Sequence, residues 1–268
     1  MDNKLKRNER IGAIVKVLCD RPNRIFTLGY FTELFNAAKS TISEDLVIVK
    51  KIMETMSFGR VETIAGAAGG VKYIPVVVPE RRTKILEQIA DKMRDPKRII
   101  PGGFLYIGDL LYDPYFMKDV GEIFAEMFSY RGIDYVLTVE TKGIPLAMMT
   151  ANGLNCPLVV ARNENRVTEG ATISINYVSG STGQIQTMYV SKNAIKPGSK
   201  VLIIDDFMRA GGTVLGLIDL VHELGSVVEG VGVLLETAEP ANKMVSEYTA
   251  LLTLERVSRE EIVVRLKQ

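Results

Sequence analysis

The 268-residue sequence predicts an α/β protein in two parts: a small helical unit closed by a β-hairpin over residues 1–74, and a larger parallel-sheet domain over residues 75–268. Three observations carry this. Apolar residues keep helical spacing up to about residue 75 and afterwards fall into short aliphatic runs alternating with helical patterns. Charge divides at the same place: residues 1–74 hold 12 Lys+Arg against 8 Asp+Glu, net +4, leaving 33−12=21 against 32−8=24, net −3, for the rest. Third, "VLIIDDFMRAGGT", residues 201–213, runs an aliphatic strand into two acids and a glycine loop just before a helical pattern starts, the turn of a βα unit.

The composition excludes several function classes. A hydrophobic fraction of 47% and a charged fraction of 24% suit an ordinary globular chain. No apolar run reaches membrane length, and "MDNKLKRNER" leads into an amphipathic pattern instead of a signal peptide, so a cytoplasmic protein without a membrane partner is expected. Cys19 and Cys156 have no metal-ligand spacing and read as reduced packing thiols. His222 is the only histidine and lies inside a helical pattern, which leaves a metal centre or a serine triad little to build on.

In the first part, Ile11, Ile14, Val15 and Leu18 make one apolar helix face. A turn at "RPNRIF" leads to a compact helix in "TLGYFTELF", with Thr27 as its N-cap. In the next helix Ile42, Leu46, Val49 and Met53 form a stripe, and the capping-box spacing of Thr41 and Glu44 starts it at Ser40 or Thr41. Two short strands, 61–64 and 71–74, flank a glycine-rich tip. Helix, helix, turn, helix and hairpin describe a winged helix-turn-helix, whose second turn helix enters the DNA major groove.

Lys39, Ser40, Thr41 and Ser43 stand at the entrance of that helix, Lys50 and Lys51 further along it, and Lys72 behind the hairpin tip. All seven are expected to face DNA. Glu44 and Asp45 count against indiscriminate phosphate binding, although acids in a first turn suit the helix dipole. The same elements would also serve a protein–protein module; the local excess of basic charge and the wing favour DNA.

In the second part, "PERRTKILEQIADKM" is a linker or entry helix, "FMKDVGEIFAEMFSYRG" a helix, "DYVLTVE" and "PLVVAR" strands around a helix in "IPLAMMTANGL", and "TISINYVSG" and "QIQTMYVSK" a hairpin excursion joined at "STG". Strand "KVLIIDD", the helix after Thr213 and strand "VEGVGVLLE" complete the βαβ pattern, with helices expected on both sheet faces.

Ligands of such sheets collect beyond the carboxyl ends of the strands. There the loop's backbone N–H groups, with Gly211, Gly212 and the Thr213 hydroxyl, suit a phosphate. Asp205 and Asp206 would repel one and should face sugar hydroxyls. A phosphate beside a diol describes a ribose 5-phosphate. Neither GxxxxGK[ST] nor GxGxxG occurs at this turn.

"VLIIDDFMRAGGT" resembles the phosphoribosyl-pyrophosphate (PRPP) motif of the type I phosphoribosyltransferases, so the larger domain is expected to be type I phosphoribosyltransferase-like. The resemblance implies that Asp205 and Asp206 hold ribose hydroxyls and that Arg209, Ala210, Gly211, Gly212 and Thr213 hold the 5-phosphate, with Phe207 and Met208 in the same motif. "ETKGIP" is similar to the family's pyrophosphate loop, which implies Thr141, Lys142 and Gly143 beside the diphosphate, with Mg2+ as companion. Residues 162–192, from Arg162, look like the flexible loop, and Phe104 with Tyr106 would cover the space of a base. Where many enzymes of the family carry Ala-Thr, this chain has Arg209-Ala210, which leaves phosphate binding intact and puts turnover in doubt.

With the winged helix in front, "KSTISEDL", "GAAGGVKYIP", "VTEGATISINYVSGS" and "LIIDDFMRAGGT" resemble the purine operon repressors of Gram-positive bacteria. That implies a homodimer on double-stranded operator DNA, released by PRPP, with no required cofactor, no enzymatic turnover and purine nucleotides or alarmones as possible competitors. The alternative is an active purine phosphoribosyltransferase with a DNA-binding appendage. A further reading has Lys142, Arg162, Arg166 and Lys192 forming a basic surface that also touches DNA.

Overall fold

The structure is a computed structural model and describes residues 5–66, 69–102, 104–179, 183–258 and 260–267. Two compact units divide the chain: Met1–Val78 with Asn152–Asn155, and Pro79–Ala151 with Cys156–Gln268. The division thus falls at Val78, against the expected Ile74.

The first unit runs α1 (Arg7–Asp20), α2 (Leu28–Phe35), α3 (Lys39–Thr55), β1 (Arg60–Ile64) and β2 (Gly70–Ile74). α1 buries Ile14 and Leu18 with Arg10, and α3 buries the stripe of Ile42, Leu46, Val49 and Met53 that its spacing predicts. Thr27 caps α2, its Oγ1 accepting from the Tyr30 N–H at 3.1 Å. α3 departs from the expected start: it begins at Lys39 behind Ala38, which has no side-chain acceptor, so no capping box forms. Glu44 instead pairs with Arg7 at 3.6 Å. β1 and β2 form the expected antiparallel hairpin, with Val61 opposite Tyr73 and Thr63 opposite Val71. Its central tip residues, Ala67 and Ala68, lie outside the described residues. Phe31, Ile14, Ile42 and Val49 are fully shielded at the centre, each worth roughly 1.5–3 kcal/mol relative to exposure.

The second unit opens with α4 (Pro79–Met93), which settles the entry segment as a helix, and a small antiparallel pair, β3 (Ile99–Ile100) and β4 (Phe104–Leu105). α5 (Gly108–Leu111) and α6 (Pro114–Phe128) follow; the Asp113 carboxylate caps α6 by accepting from the Tyr115 and Phe116 N–H groups. Then come β5 (Tyr135–Val139), α7 (Ile144–Leu154), β6 (Leu158–Ala161), the hairpin β7 (Thr172–Val178) and β8 (Ile185–Ser191), β9 (Lys200–Met208), α8 (Gly212–Glu223), β10 (Val227–Thr237), β11 (Thr249–Val257) and β12 (Ile262–Leu266). The hairpin's junction residues Ser181 and Thr182 lie outside the described residues.

Six strands form one sheet in the order β12-β11-β10-β9-β5-β6, parallel except for the edge strand β12. Helices cover both faces, as alternation along β10 shows. Val231 and Val233 join the core that Leu217, Leu220 and Val221 of α8 close, while a Cβ at the intervening Gly232 would meet Phe124 of α6. Tyr177 and Met188 place the β7–β8 hairpin on the α8 side. This arrangement brings the carboxyl ends of β5, β9, β10 and β11 to one rim.

Candidate functional site

A cavity of about 900 Å³ opens at that rim. Its walls come from the carboxyl ends of the parallel strands and the segments that follow: Glu140 to Lys142 after β5, Asp205 to Phe207 at the end of β9, Thr237 at the end of β10 with Glu239 beyond it, and Arg256 on β11. Phe104 and Tyr106, both largely exposed, line it from the β4 side, and Tyr177 and Gln186 from the β7–β8 hairpin.

The acid pair sits at its base. Asp205 is 5% and Asp206 8% exposed, and the Asp206 N–H donates to Asp205 Oδ1 at 3.0 Å. Burial first, and the neighbouring Asp206 charge second, push the Asp205 carboxyl well above the usual carboxylate range. Burial also raises Asp206, opposed by its contact with Asp205 and by the Lys142 ammonium. Two desolvated acids of this kind are held ready for donors or a cation arriving with a ligand. Among the described residues no three Asp, Glu, His or Cys side chains gather as a metal site. Such a donor set suits a Mg2+ carried mainly by a diphosphate, which takes only one or two protein carboxylates.

At the end of β9, Gly211 takes a left-handed φ of 89° and caps α8, so the N–H groups of the first turn face the rim. Arg209 and Thr213 line the cavity there. Thr141 and Lys142, preceded by a cis Glu140–Thr141 peptide, line the opposite wall. Eight of the residues expected to meet a ligand therefore converge: Phe104, Thr141, Lys142, Asp205, Asp206, Phe207, Arg209 and Thr213.

Three others take different positions. Met208 is buried in the core with its sulfur facing Gly211, so it supports the loop from behind. Arg162, expected at the ligand, pairs with Glu140 at 3.2 Å and Glu169 at 3.5 Å. Burial opposes ionisation of Glu140, yet the Asn163 N–H and the Arg162 guanidinium hold it below the ordinary value. The proposed basic surface thus loses Arg162 to these carboxylates, while Lys142 belongs to the cavity. Gly143 is buried beneath Asp205: a Cβ there would lie 2.4 Å from Thr138 Oγ1 and 2.9 Å from Asp205 Oδ1. Gly143→Ala is accordingly expected to weaken ligand binding at least tenfold by displacing Asp205, with DNA binding retained; calorimetric titration of the variant with ligand checks it.

Sequence reasoning missed Glu140, Tyr177, Gln186, Thr237 and Glu239. The rule that ligands gather beyond strand ends would have flagged Thr237 and Glu239; the hairpin residues had no comparable signal. His222 is exposed in the last turn of α8, in keeping with a surface role. The Cys156 thiol, half-buried, is pushed up to about 12 mainly by burial and is a poor nucleophile or ligand.

In the first unit a groove of about 540 Å³ runs between α3 and the hairpin. Lys39, Ser43, Val47 and Lys50 line its α3 side, and Thr63, Gly66 and Gly69 its β side. Lys39, Ser40, Ser43, Lys50 and Lys51 are exposed as expected, and Thr41 half-exposed. Lys72 is less free: it stands 4.0 Å from Glu62 across the hairpin. Asp45 does not face outward at all. It is fully buried, and Arg10 donates to it from Nε at 2.7 Å and from Nη2 at 3.3 Å.

With both sites in view, comparison with known proteins is decisive. Residues 6–75 match the family model described as "Bacterial purine repressor, N-terminal", and residues 108–267 match the phosphoribosyl transferase domain. The purine biosynthesis transcriptional repressor PurR of Bacillus subtilis is 45% identical over 96% of this chain and 90% of its own. The chain belongs to the PurR family of bacterial purine regulators.

Members of this family differ in the sense of their names: a relative from Lactococcus lactis, 38% identical over 94% of this chain and 93% of its own, is a purine biosynthesis transcriptional activator. Outside the PurR proteins, xanthine phosphoribosyltransferase of Oenococcus oeni is 32% identical over 67% of this chain and 90% of its own. Among solved structures, adenine phosphoribosyltransferase from Rhodothermus marinus aligns with a TM-score of 0.54 at 26% identity, over 64% of this chain and 99% of its own. The PurR family therefore joins a phosphoribosyltransferase domain to an N-terminal unit that these enzymes lack over the matched span.

Proposed function

We propose that the protein is a transcriptional repressor of purine biosynthesis genes that binds operator DNA through α3 and the β1–β2 hairpin and is released by PRPP. The observation that carries the effector reading is the cavity itself: two buried acids, the anion-suited loop that follows them and Lys142 from the β5 side supply acceptors for a diol and donors for phosphates in one space. Membership in the PurR family and the groove of the first unit, lined by Lys39 and Lys50 and by no acid among the described residues, support DNA as the partner. The most similar relative named above is a repressor, which favours repression over activation.

PRPP acts in this reading by binding the DNA-free state more tightly than the DNA-bound one; its differential affinity sets how far it can shift the population. Mg2+ would accompany the diphosphate and supply charge neutralisation there, while Asp205 and Asp206 accept the ribose hydroxyls. Purine nucleotides or alarmones would compete for the same cavity. In this reading the active protein is a cytoplasmic homodimer, and Arg209-Ala210, which removes a hydroxyl donor from the phosphate loop, speaks against turnover. No described helix is long and apolar enough to cross a membrane.

A titration of the full chain against DNA selected from a random pool, with and without PRPP and Mg2+, tests both halves. PRPP should raise the apparent Kd at least tenfold and inorganic phosphate should not. Likeness to the xanthine enzyme favours the second reading, a working transferase, and multiple turnovers with xanthine, guanine, hypoxanthine or adenine would establish it.

A further inference from the structure

Val47 is 68% exposed on α3, the most exposed large apolar side chain of the first unit among the described residues. It lies one turn from Ser43 and close to one turn from Lys50, so Lys39, Ser43, Val47 and Lys50 share one helix face. That face lines the groove beside the hairpin, and among the described residues no acid lines it. Two of the three acids of α3 are drawn away from it, Asp45 into its buried pair with Arg10 and Glu44 toward Arg7, and the third, Glu54, lies a turn beyond Lys50, outside the groove lining. A branched aliphatic group left in water among lysines and a serine gains nothing for the fold, because the stripe on the opposite side supplies the core.

On a face that meets DNA, the apolar group it can match is the C5-methyl of thymine, the one hydrocarbon group displayed in the major groove. We propose that Val47 is a specificity-determining residue that packs against a thymine methyl in the operator, with Lys39 and Lys50 holding the flanking backbone. This rests on the reading of α3 as the DNA-entering helix. It differs from the lysine contacts in kind, since phosphates carry no sequence information and a thymine methyl does.

The test replaces each thymine of the selected DNA in turn by deoxyuridine, which removes only the methyl, and measures binding of the full-length protein and of Val47→Ala. The wild type should lose about fourfold in affinity at one thymine per half-site, ~0.8 kcal/mol for one buried methyl-sized group. Val47→Ala should be weaker on the thymine DNA and indifferent to deoxyuridine at that position alone. Because Val47 is exposed, Val47→Ala should leave the fold intact, and an unchanged Tm verifies it. Deoxyuridine sensitivity that survives in Val47→Ala, its absence at every position in the wild type, or a loss in Val47→Ala that is equal for all sequences, each overturns the assignment. If the wild type selects no DNA at all, the fault lies with the DNA-binding reading itself.

Discussion

Asp205→Asn should shift the response of DNA binding to at least about tenfold higher PRPP while raising the melting temperature of the ligand-free protein. The two effects share one cause. The Asp205 carboxylate is shut away from water beside a second acid, so its ionised form is held in the folded protein at a cost. Its folded pKa lies above its unfolded one, so the folded state binds the extra proton. The associated stability is present at low pH and is lost as pH rises through the raised value. At neutral pH the amide removes that cost and keeps an oxygen to accept the Asp206 N–H. A gain of about 0.5–2 kcal/mol is expected, the common result when a strained functional group is neutralised.

The ligand meets the opposite sign. A ribose hydroxyl donates to the carboxylate in a charge-assisted bond worth about 1.5–3 kcal/mol, so loss of the charge should weaken PRPP by roughly tenfold or more. In the wild type, acidification should weaken PRPP at pH values above the ordinary carboxylate range, and Asp205→Asn should flatten that dependence. Thermal unfolding with and without PRPP, at several pH values, measures everything at once. A variant that is less stable and released by the same PRPP concentration as the wild type would remove Asp205 from the site.

The ligand site was more legible than the residues that support it, for physical reasons. A strand that runs into paired acids and glycines delivers polar groups to a sheet edge whatever surrounds it, and Asp205, Asp206, Arg209 and Thr213 are found where that pattern puts them. Met208 belongs to the same string of letters yet turns inward, because the strand end has to fill the space behind Gly211. Arg162 reads as a ligand group until Glu140 and Glu169, distant in sequence or across a loop, are seen to hold it. In the first unit the buried stripe of α3 follows from spacing alone, whereas its start does not. Thr41 and Glu44 have capping-box spacing, but the helix already begins at Lys39, after α2 ends at the left-handed Asn36. Strands β11 and β12 complete the sheet through pairings that short-range patterns do not encode.

Asp45 is the clearest case of a partner hidden from local reading, and it sets the second large effect. An acid in the early turns of an exposed-looking helix reads as solvated; here it is fully buried and bonded to an arginine 35 residues earlier. Arg10 also donates from Nη1 to the Leu5 carbonyl, so its guanidinium joins α3, α1 and the segment before α1. Asp45→Ala would leave that guanidinium, 7% exposed, without its counter-charge, and a buried pair broken on one side costs about 3–5 kcal/mol. The first unit has a small core, and such a loss should unfold much of it: amide exchange across α1 and α3 should lose protection and DNA affinity should collapse. Replacing both partners with apolar residues of similar volume, Arg10→Met with Asp45→Leu, removes the charges together and should restore protection and DNA binding to near the starting level, because the gain from the pair barely exceeds the cost of desolvating it. If the single and double variants fall equally, the pair acts through shape and not charge; if Asp45→Ala costs less than about 1 kcal/mol, the groove residues are positioned by the apolar stripe alone.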